Sequence, residues 1–159
     1  MSYIPSRPDL LLKSELNLMG EFSDIIDGYL RIESVDLLNK SGVIDRLNEF
    51  SVFCECRSLG DRWIKTEEKK AFSLIVTGMT FALCHQGDNF RLADDETALN
   101  SANKFVNRFT DSPEFYVTSK GNPWEGKYPS VSITDAVLDF GVAIVDKSSI
   151  GLVVFTDGY

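Results

Sequence analysis

The last twenty residues of this 159-residue chain contain two mostly apolar runs, 141–145 and 150–155, separated by the polar segment 146–149. This pattern predicts a β-hairpin. Apolar residues occupy consecutive rather than alternate positions in both arms, which is typical of strands that are covered on both faces. The hairpin therefore predicts a sheet with other elements packed against each of its sides.

The residues before Pro113 predict mainly helices, because their apolar residues recur at helical spacing. Ser34 also caps a short predicted turn that runs to Leu38. The predicted helices cover residues 8–19, 21–31, 43–54 and 94–109.

Residues 71–84 are apolar nearly all round. The preceding Thr66-Glu67-Glu68 is a good helix opening, with acids where the helix dipole favours them. The segment therefore predicts a central buried helix in which Gly78 permits a close approach. The alternative is a pair of strands that turn at Thr77-Gly78.

After Pro113 the pattern changes to short β-rich runs separated by Gly and Pro. Residues 115–118 predict a strand, 120–130 predict a loop, and Ser132 or Thr134 is expected to cap one helical turn through Leu138. Helices followed by strands predict a single α+β domain over residues 1–159. Its helical N-terminal two thirds would pack on a small antiparallel sheet that includes the C-terminal hairpin.

The chain is strongly acidic, with 24 Asp and Glu against 16 Lys and Arg and a net charge of −8. The excess lies towards both ends, whereas residues 61–110 are balanced. Such a charge disfavours binding to nucleic acid or to an anionic membrane, because both repel negative surfaces. It predicts a basic partner instead.

The sequence predicts a cytoplasmic protein. The apolar run 10–12 is interrupted by Lys13 and Glu15, so it does not resemble a signal peptide, and no uncharged apolar run is long enough to span a membrane. Three cysteines without an export signal indicate reduced thiols.

Cys54, Cys56, Cys84 and His85 supply four soft ligands, the number that a structural zinc ion needs. The spacing is poor for a metal, because adjacent residues such as Cys84 and His85 point in different directions. The same geometry disfavours a cysteine nucleophile with His85 as its base. We therefore predict buried thiols, with no metal and no cofactor.

Other motifs also have structural interpretations. Asp139-Phe140-Gly141 spells the metal-binding triplet of protein kinases, but the rest of the kinase signature is missing. The triplet instead predicts the start of a strand, with Gly141 as a bulge or turn. No phosphate-binding glycine loop and no nucleophile elbow is present, so we predict no catalytic residue.

The remaining candidate for function is a binding surface. Aromatic residues on a loop stiffened by Gly and Pro can anchor a protein interface, and nearby acids would favour a basic partner. The alternative for Trp124 is that it covers the sheet, while Trp63 is expected in the core. The predicted partner-binding residues are Trp124, Glu125, Tyr128, Asp135, Asp139, Asp94, Asp95 and Glu96. For Asp94, Asp95 and Glu96 a helix cap is the competing interpretation.

The sequence favours a non-enzymatic inhibitor that resembles immunity proteins in size, acidity and lack of catalytic residues. Such a protein would neutralise a basic toxin or nuclease by blocking its cleft. One alternative is a small-ligand-binding or hydrolytic domain that uses scattered carboxylates and the loop 120–130. Another is a structural or adaptor subunit, which predicts an exposed apolar patch on the C-terminal hairpin, where an open apolar edge would invite strand pairing between copies.

Overall fold

The computed structural model describes residues 26–32, 42–54, 56–81, 83, 91, 93–125, 132–135, 138–147 and 149–157. Within these residues, strands and helices follow one another as β1 (Ile26–Ile32), α1 (Val43–Phe53), β2 (Ile64–Thr66), α2 (Glu68–Thr80), α3 (Asp95–Val106), β3 (Glu114–Val117), β4 (Leu138–Val145) and β5 (Ser149–Asp157). One turn of 3₁₀ helix, Pro123–Glu125, lies between β3 and β4.

The described strands form one antiparallel sheet in the order β1-β5-β4-β3-β2. The predicted hairpin of β4 and β5 lies inside this sheet, with β1 on one side and β3 on the other. In its turn, the Asp146 N–H donates to the carbonyl of Ser149 at 3.0 Å, and the Ser149 N–H donates to the Asp146 carboxylate at 2.7 Å. The predicted α+β class is confirmed, as is the strand predicted over 115–118.

The two faces of the sheet carry separate apolar clusters, because neighbouring residues of a strand point to opposite sides. One cluster joins α2 and α3 to Phe115, Val117, Phe140, Val142, Ile144, Val153 and Phe155. The other joins α1, Leu59 and Trp63 to Tyr116, Ala143, Val145, Ile150, Leu152 and Val154. The prediction that both arms of the hairpin are covered on both faces is confirmed.

Helix α2 approaches the sheet closely at Gly78. A Cβ atom at this position would lie only 2.5 Å from the ring of Phe155, so only glycine fits. The prediction of a buried helix with a close approach at Gly78 is confirmed, and the two-strand alternative is wrong. The helix begins one residue after its N-cap Glu67, while Thr66 ends β2.

Asn48 of α1 holds the segment that leads into β2. Its Oδ1 accepts hydrogen bonds from the Leu59 N–H at 2.9 Å and from Trp63 Nε1 at 3.0 Å, and its Nδ2 donates to the Gly60 carbonyl at 2.8 Å. Trp63 is 6% exposed, which confirms its predicted place in the core. These contacts fix the chain where it enters the edge of the sheet.

The helix predicted over 21–31 is wrong where the structure describes it, because Ile26–Ile32 form β1. The strand pairs with β5, with Ile26 opposite Phe155. Gly28 lowers the helix propensity of this segment, and pairing with β5 outweighs the local helical spacing. Among the described residues before Pro113, the regular elements are therefore the helices α1, α2 and α3 and the strands β1 and β2.

The helical turn predicted from Ser132 or Thr134 does not extend through Leu138, because Leu138 already belongs to β4, and residues 136 and 137 lie outside the described residues. The hydroxyl groups of Ser132 and Thr134 both donate to the carboxylate of Asp139. Gly141 is neither a bulge nor a turn, since it keeps the regular register between β4 and β5.

Helix α3 confirms most of the helix predicted over 94–109, although it ends at Val106. Leu99, which was expected on the apolar stripe, is 45% exposed. The buried face is rotated slightly and carries Ala98, Ala102 and Phe105, which recur at intervals of four and three residues.

Several predictions lie outside the described residues. They concern the helix over 8–19, the turn over 34–38, the loop from 126 to 130 with Tyr128, and the pair Cys84 and His85.

Candidate functional site

A solvent-open groove of about 600 Å³ lies where β2 ends and β3 begins. The two strands are adjacent in the sheet, with Thr66 opposite Phe115. We call this site the β2–β3 groove, and its lining residues are Lys65, Thr66, Glu67, Glu68, Phe109, Thr110, Pro113, Glu114 and Phe115.

The lining of the β2–β3 groove includes both buried aromatic and charged residues. Phe109 and Phe115 are each 4% exposed and belong to the core beneath the groove. Three lining residues, Glu67, Glu68 and Glu114, are acidic, and Lys65 is basic. The side chains of Lys65 and Glu114 lie on the sheet face that carries Tyr116, opposite Phe115. Negative charge therefore exceeds positive charge in the lining, and the groove favours a cationic group that also has apolar surface.

Lys65, Glu114 and Tyr116 form a linked set on one face of the sheet. Lys65 Nζ lies 3.1 Å from Glu114 Oε1, and the Tyr116 hydroxyl donates to the same oxygen at 2.7 Å. The Tyr116 hydrogen bond, helped by Lys65, lowers the pKa of Glu114 below its usual value despite partial burial. Burial and the neighbouring Glu114 raise the pKa of Tyr116. Glu114 is therefore ionised, and already partnered, at neutral pH.

Glu67 and Glu68 are exposed, and their carboxylates bind no other described side chain or backbone group. Glu67 occupies the N-cap position of α2 but makes no capping hydrogen bond with its side chain. Both residues line the β2–β3 groove.

Asp94, Asp95 and Glu96 lie together at the start of α3. Asp94 accepts a hydrogen bond from the Thr97 N–H at 2.7 Å, which confirms the capping interpretation. Hydrogen bonds from Thr97, with the nearby Arg91 charge, lower the pKa of Asp94. Asp95 pairs with Arg91 at 3.0 Å, and Glu96 is exposed.

Asp139 is 3% exposed, so its carboxylate does not reach the surface. The carboxylate accepts hydrogen bonds from the N–H groups of Ile133 and Thr134 and from the hydroxyl groups of Ser132 and Thr134, at 2.8 to 3.2 Å. Asp139 thereby holds the loop 132–134 against the start of β4. The prediction that Asp139 is a partner-binding residue is therefore not supported by its buried position.

Several exposed charges in the described part of the chain form ion pairs of opposite sign. Asp135 has an 89% exposed side chain and pairs with Arg57 at 2.6 Å. Further ion pairs join Arg46 to Glu49, Lys65 to Glu114, Arg91 to Asp95 and Lys147 to Asp111. Such exposed pairs reduce the local excess of negative charge.

Trp124 lies in the 3₁₀ turn and covers the sheet. Its ring meets those of Phe140 and Phe155 edge-on, with centroids 5.4 and 5.5 Å apart, and its Nε1 donates to the Phe81 carbonyl at 3.0 Å. The alternative in which Trp124 covers the sheet thus matches the structure, although the residue stays half-buried. The neighbouring Glu125 is exposed.

The described members of the predicted partner-binding set therefore lie at the start of α3, in the 3₁₀ turn, at Asp135 and at Asp139, whereas Tyr128 lies outside the described residues. None of these described members lines the β2–β3 groove. No local pattern predicted this groove, because its lining comes from segments about 40 residues apart. The only local signal was the helix opening at Glu67 and Glu68, which has a sufficient structural explanation.

The described residues contain no cluster of three or more metal-binding side chains. Cys54 is buried and Cys56 is half-buried, and neither forms a disulfide bond. Among the helices of the described ranges, none is long and apolar enough to cross a membrane.

No protein-family model, no curated protein and no solved structure matches this chain.

Proposed function

We propose that this chain is a non-enzymatic protein-binding domain for a basic partner. In its specific form, the proposal is an inhibitor of the immunity type that neutralises a toxin or nuclease by covering its cleft. The cytoplasmic location and the absence of nucleic-acid binding remain predictions from the sequence.

The observation that carries the proposal is the β2–β3 groove. Its lining joins buried aromatic residues to charged ones, a combination that is common in protein interfaces. Glu67 and Glu68 are exposed lining residues whose side chains bind no other described group. A partner with positive charge would gain both affinity and orientation there.

The charge of the whole chain supports the same class of partner. Enzymes that cleave nucleic acids carry basic clefts because their substrates are polyanions. A net charge of −8 would accelerate encounter with such a cleft and would disfavour neutral or acidic partners.

The experiment is a binding measurement between this protein and the product of its neighbouring gene, by calorimetry at low and at high salt. We expect saturable binding that weakens as salt rises, because exposed charges are screened. If the neighbouring product is an enzyme, its activity should fall in proportion to the complex formed. Binding that is indifferent to salt, or no binding, would contradict the proposal.

The second candidate is a small-ligand site, and the size of the groove favours it, since about 600 Å³ lies within the usual range for small-molecule pockets. Native mass spectrometry of the purified protein distinguishes the two, because a retained small cation would add a discrete mass. The adaptor hypothesis has less support, because β4 and β5 are interior strands and present no open edge in the described sheet.

A further inference from the structure

We infer that β1 pairs antiparallel with β1 of a second copy of this chain, so that the sheets of the two copies join into one continuous sheet. The inference goes beyond the proposed function, because β1 and the β2–β3 groove lie at opposite edges of the described sheet.

The two edge strands of the sheet differ in how well they can accept a further strand. The edge strand β2 has three residues, with Lys65 at its centre, and both shortness and lysine protect an edge from pairing. The edge strand β1 has seven residues, all of them paired with β5, and it contains neither lysine nor proline. Within the described residues, no strand pairs with the other side of β1. The edge formed by β1 is therefore the one at which a further strand can be added.

The hydrogen-bonding pattern of an antiparallel ladder limits the register of this pairing. On an edge strand, only every second residue directs its N–H and C=O groups away from the sheet. Outward groups must meet outward groups, so the twofold axis between two copies of one strand falls at a residue and not between two residues. Because β1 has an odd number of residues, pairing over its full length satisfies this condition and places the axis at Tyr29.

The full-length register also makes β1 complementary to itself in charge. It places Asp27 opposite Arg31 on each side of the axis, and Ile26 opposite Ile32. Cross-strand partners of opposite charge stabilise a ladder, and so do apolar partners. A shift by two residues, the smallest that the backbone allows, removes both Asp27–Arg31 pairs and leaves two residues of each strand without a partner. The sequence of β1 therefore favours a second copy of itself as the added strand.

The same pairing is compatible with the layers of the fold. Ile26 and Gly28 lie opposite Phe155 and Val153, which belong to the cluster beneath α2 and α3. Residues that pair directly across a ladder lie on the same face of the sheet. Both copies therefore place α2 and α3 on one side of the joined sheet. The interface is isologous and occupies the β1 edge of both copies, so assembly stops at a dimer.

The experiment measures the oligomeric state of the full chain by sedimentation equilibrium over a range of protein concentrations. We expect a reversible equilibrium between monomer and dimer, and hydrogen exchange of the β1 amides should slow as the fraction of dimer rises. A chain that stays monomeric up to about 1 mM would overturn the inference and would leave this edge to another segment of the chain or to a partner's strand. A dimer that protects only amides outside β1, or a series of larger assemblies, would also overturn it.

Charge reversal tests the register. The variants Asp27→Arg and Arg31→Asp each place like charges opposite each other in both pairs, so each alone should dimerise about tenfold more weakly or worse. An equimolar mixture of the two variants should recover the wild-type affinity, because every pair then joins opposite charges. A chain that carries both substitutions should recover it as well. Dimerisation that is unchanged in the single variants, or that is not recovered by the folded double variant, would overturn the inference.

The matched control is Glu96→Arg, which changes the net charge by the same amount as Asp27→Arg at an exposed position of α3. This substitution should not weaken dimerisation, and circular dichroism checks that every variant is folded. An equal loss in Glu96→Arg and Asp27→Arg would mean that the net charge and not the β1 register controls association, and it would refute the pairing.

Discussion

At the start of β4 the carboxylate of Asp139 is buried and accepts hydrogen bonds from the loop 132–134, whereas Glu67 and Glu68 are exposed and bind no described group. Strands β3 and β4 pair side by side, and the groove lies at the end of this pairing where Glu114 faces Val145. Asp139 lies beyond the other end, at the start of β4. Asp139 therefore stabilises the fold, whereas Glu67 and Glu68 remain exposed beside the groove.

This difference follows from the cost of burying charge. A carboxylate that is removed from water must be matched by donors, so Asp139 is surrounded by N–H and O–H groups. An exposed carboxylate remains solvated and needs no partner within the chain. Acidic composition alone therefore does not identify a binding surface, because some of the acids stabilise loops and helix ends.

We expect the largest loss of stability from the substitution Asp139→Ala. The substitution leaves the buried Ile133 N–H and its neighbours without an acceptor, and we expect the free energy of unfolding to fall by about 3 kcal/mol. Urea denaturation measures the change. Asp135→Ala is the control, and with an 89% exposed side chain it should cost no more than about 0.5 kcal/mol. Similar decreases in the free energy of unfolding for the two variants would contradict the distinction between the buried and the exposed acid.

Trp124→Ala should lower the free energy of unfolding by about 2 kcal/mol, because the ring covers Phe140 and Phe155 beside the Asp139 loop. Trp124→Phe keeps most of the ring contact but loses the hydrogen bond to the Phe81 carbonyl, so it should cost less. Thermal unfolding of both variants measures the contribution of Trp124 to the fold, and partner affinity measures its contribution to a binding surface. Unchanged stability with lost affinity would mean that Trp124 serves the surface rather than the fold.

Tyr116→Phe should cost about 1 kcal/mol by removing the hydrogen bond to Glu114. The pair also predicts a pH dependence. Because the pKa of Glu114 is lowered in the fold, its stabilisation is present above the ordinary pKa of 4.5 and is lost as pH falls through the folded value. Because the pKa of Tyr116 is raised, its stabilisation is present below 10.0 and is lost as pH rises towards the folded value.

Urea denaturation of wild type and Tyr116→Phe across pH tests this window. The difference between the two proteins should be constant between pH 4.5 and 10.0 and should shrink outside these limits. A difference that stays the same at strongly alkaline pH would show that the Tyr116 hydroxyl does not contribute as described.

The smallest expected effect on stability comes from Glu67→Gln with Glu68→Gln. Both side chains are exposed and bind no described group, so the free energy of unfolding should change by less than about 0.5 kcal/mol. Circular dichroism during thermal unfolding provides the measurement. A substantial destabilisation would mean that these carboxylates support the start of α2, and the contrast with Asp139 would then disappear.

Local sequence patterns predicted the elements whose signals lie within one segment. The hairpin of β4 and β5, the helices α1 to α3 and the close approach at Gly78 were all accessible from spacing and composition. In contrast, β1 could not be predicted because its partner strand is far along the chain. Local spacing alone favoured a helix there.

The candidate site was less predictable than the fold. Asp139 has the same side chain as Asp135, and only the fold decides that one is buried in a loop and the other is exposed. The β2–β3 groove joins Glu67 to Phe109 and Glu114 across separate elements. Such proximity is a property of strand order, which sequence analysis left open.

The pairing of Ile26 with Phe155 has a consequence for the order in which the molecule assembles. Bringing β1 next to β5 closes a loop that contains most of the chain, and this closure has a large entropic cost. Strands that are adjacent in sequence, such as β4 and β5, should therefore pair first. We expect β1 to add to a hairpin that already exists, and its amides to become protected from hydrogen exchange only after those of the hairpin. The strand that begins the described chain would then be the one that completes the sheet.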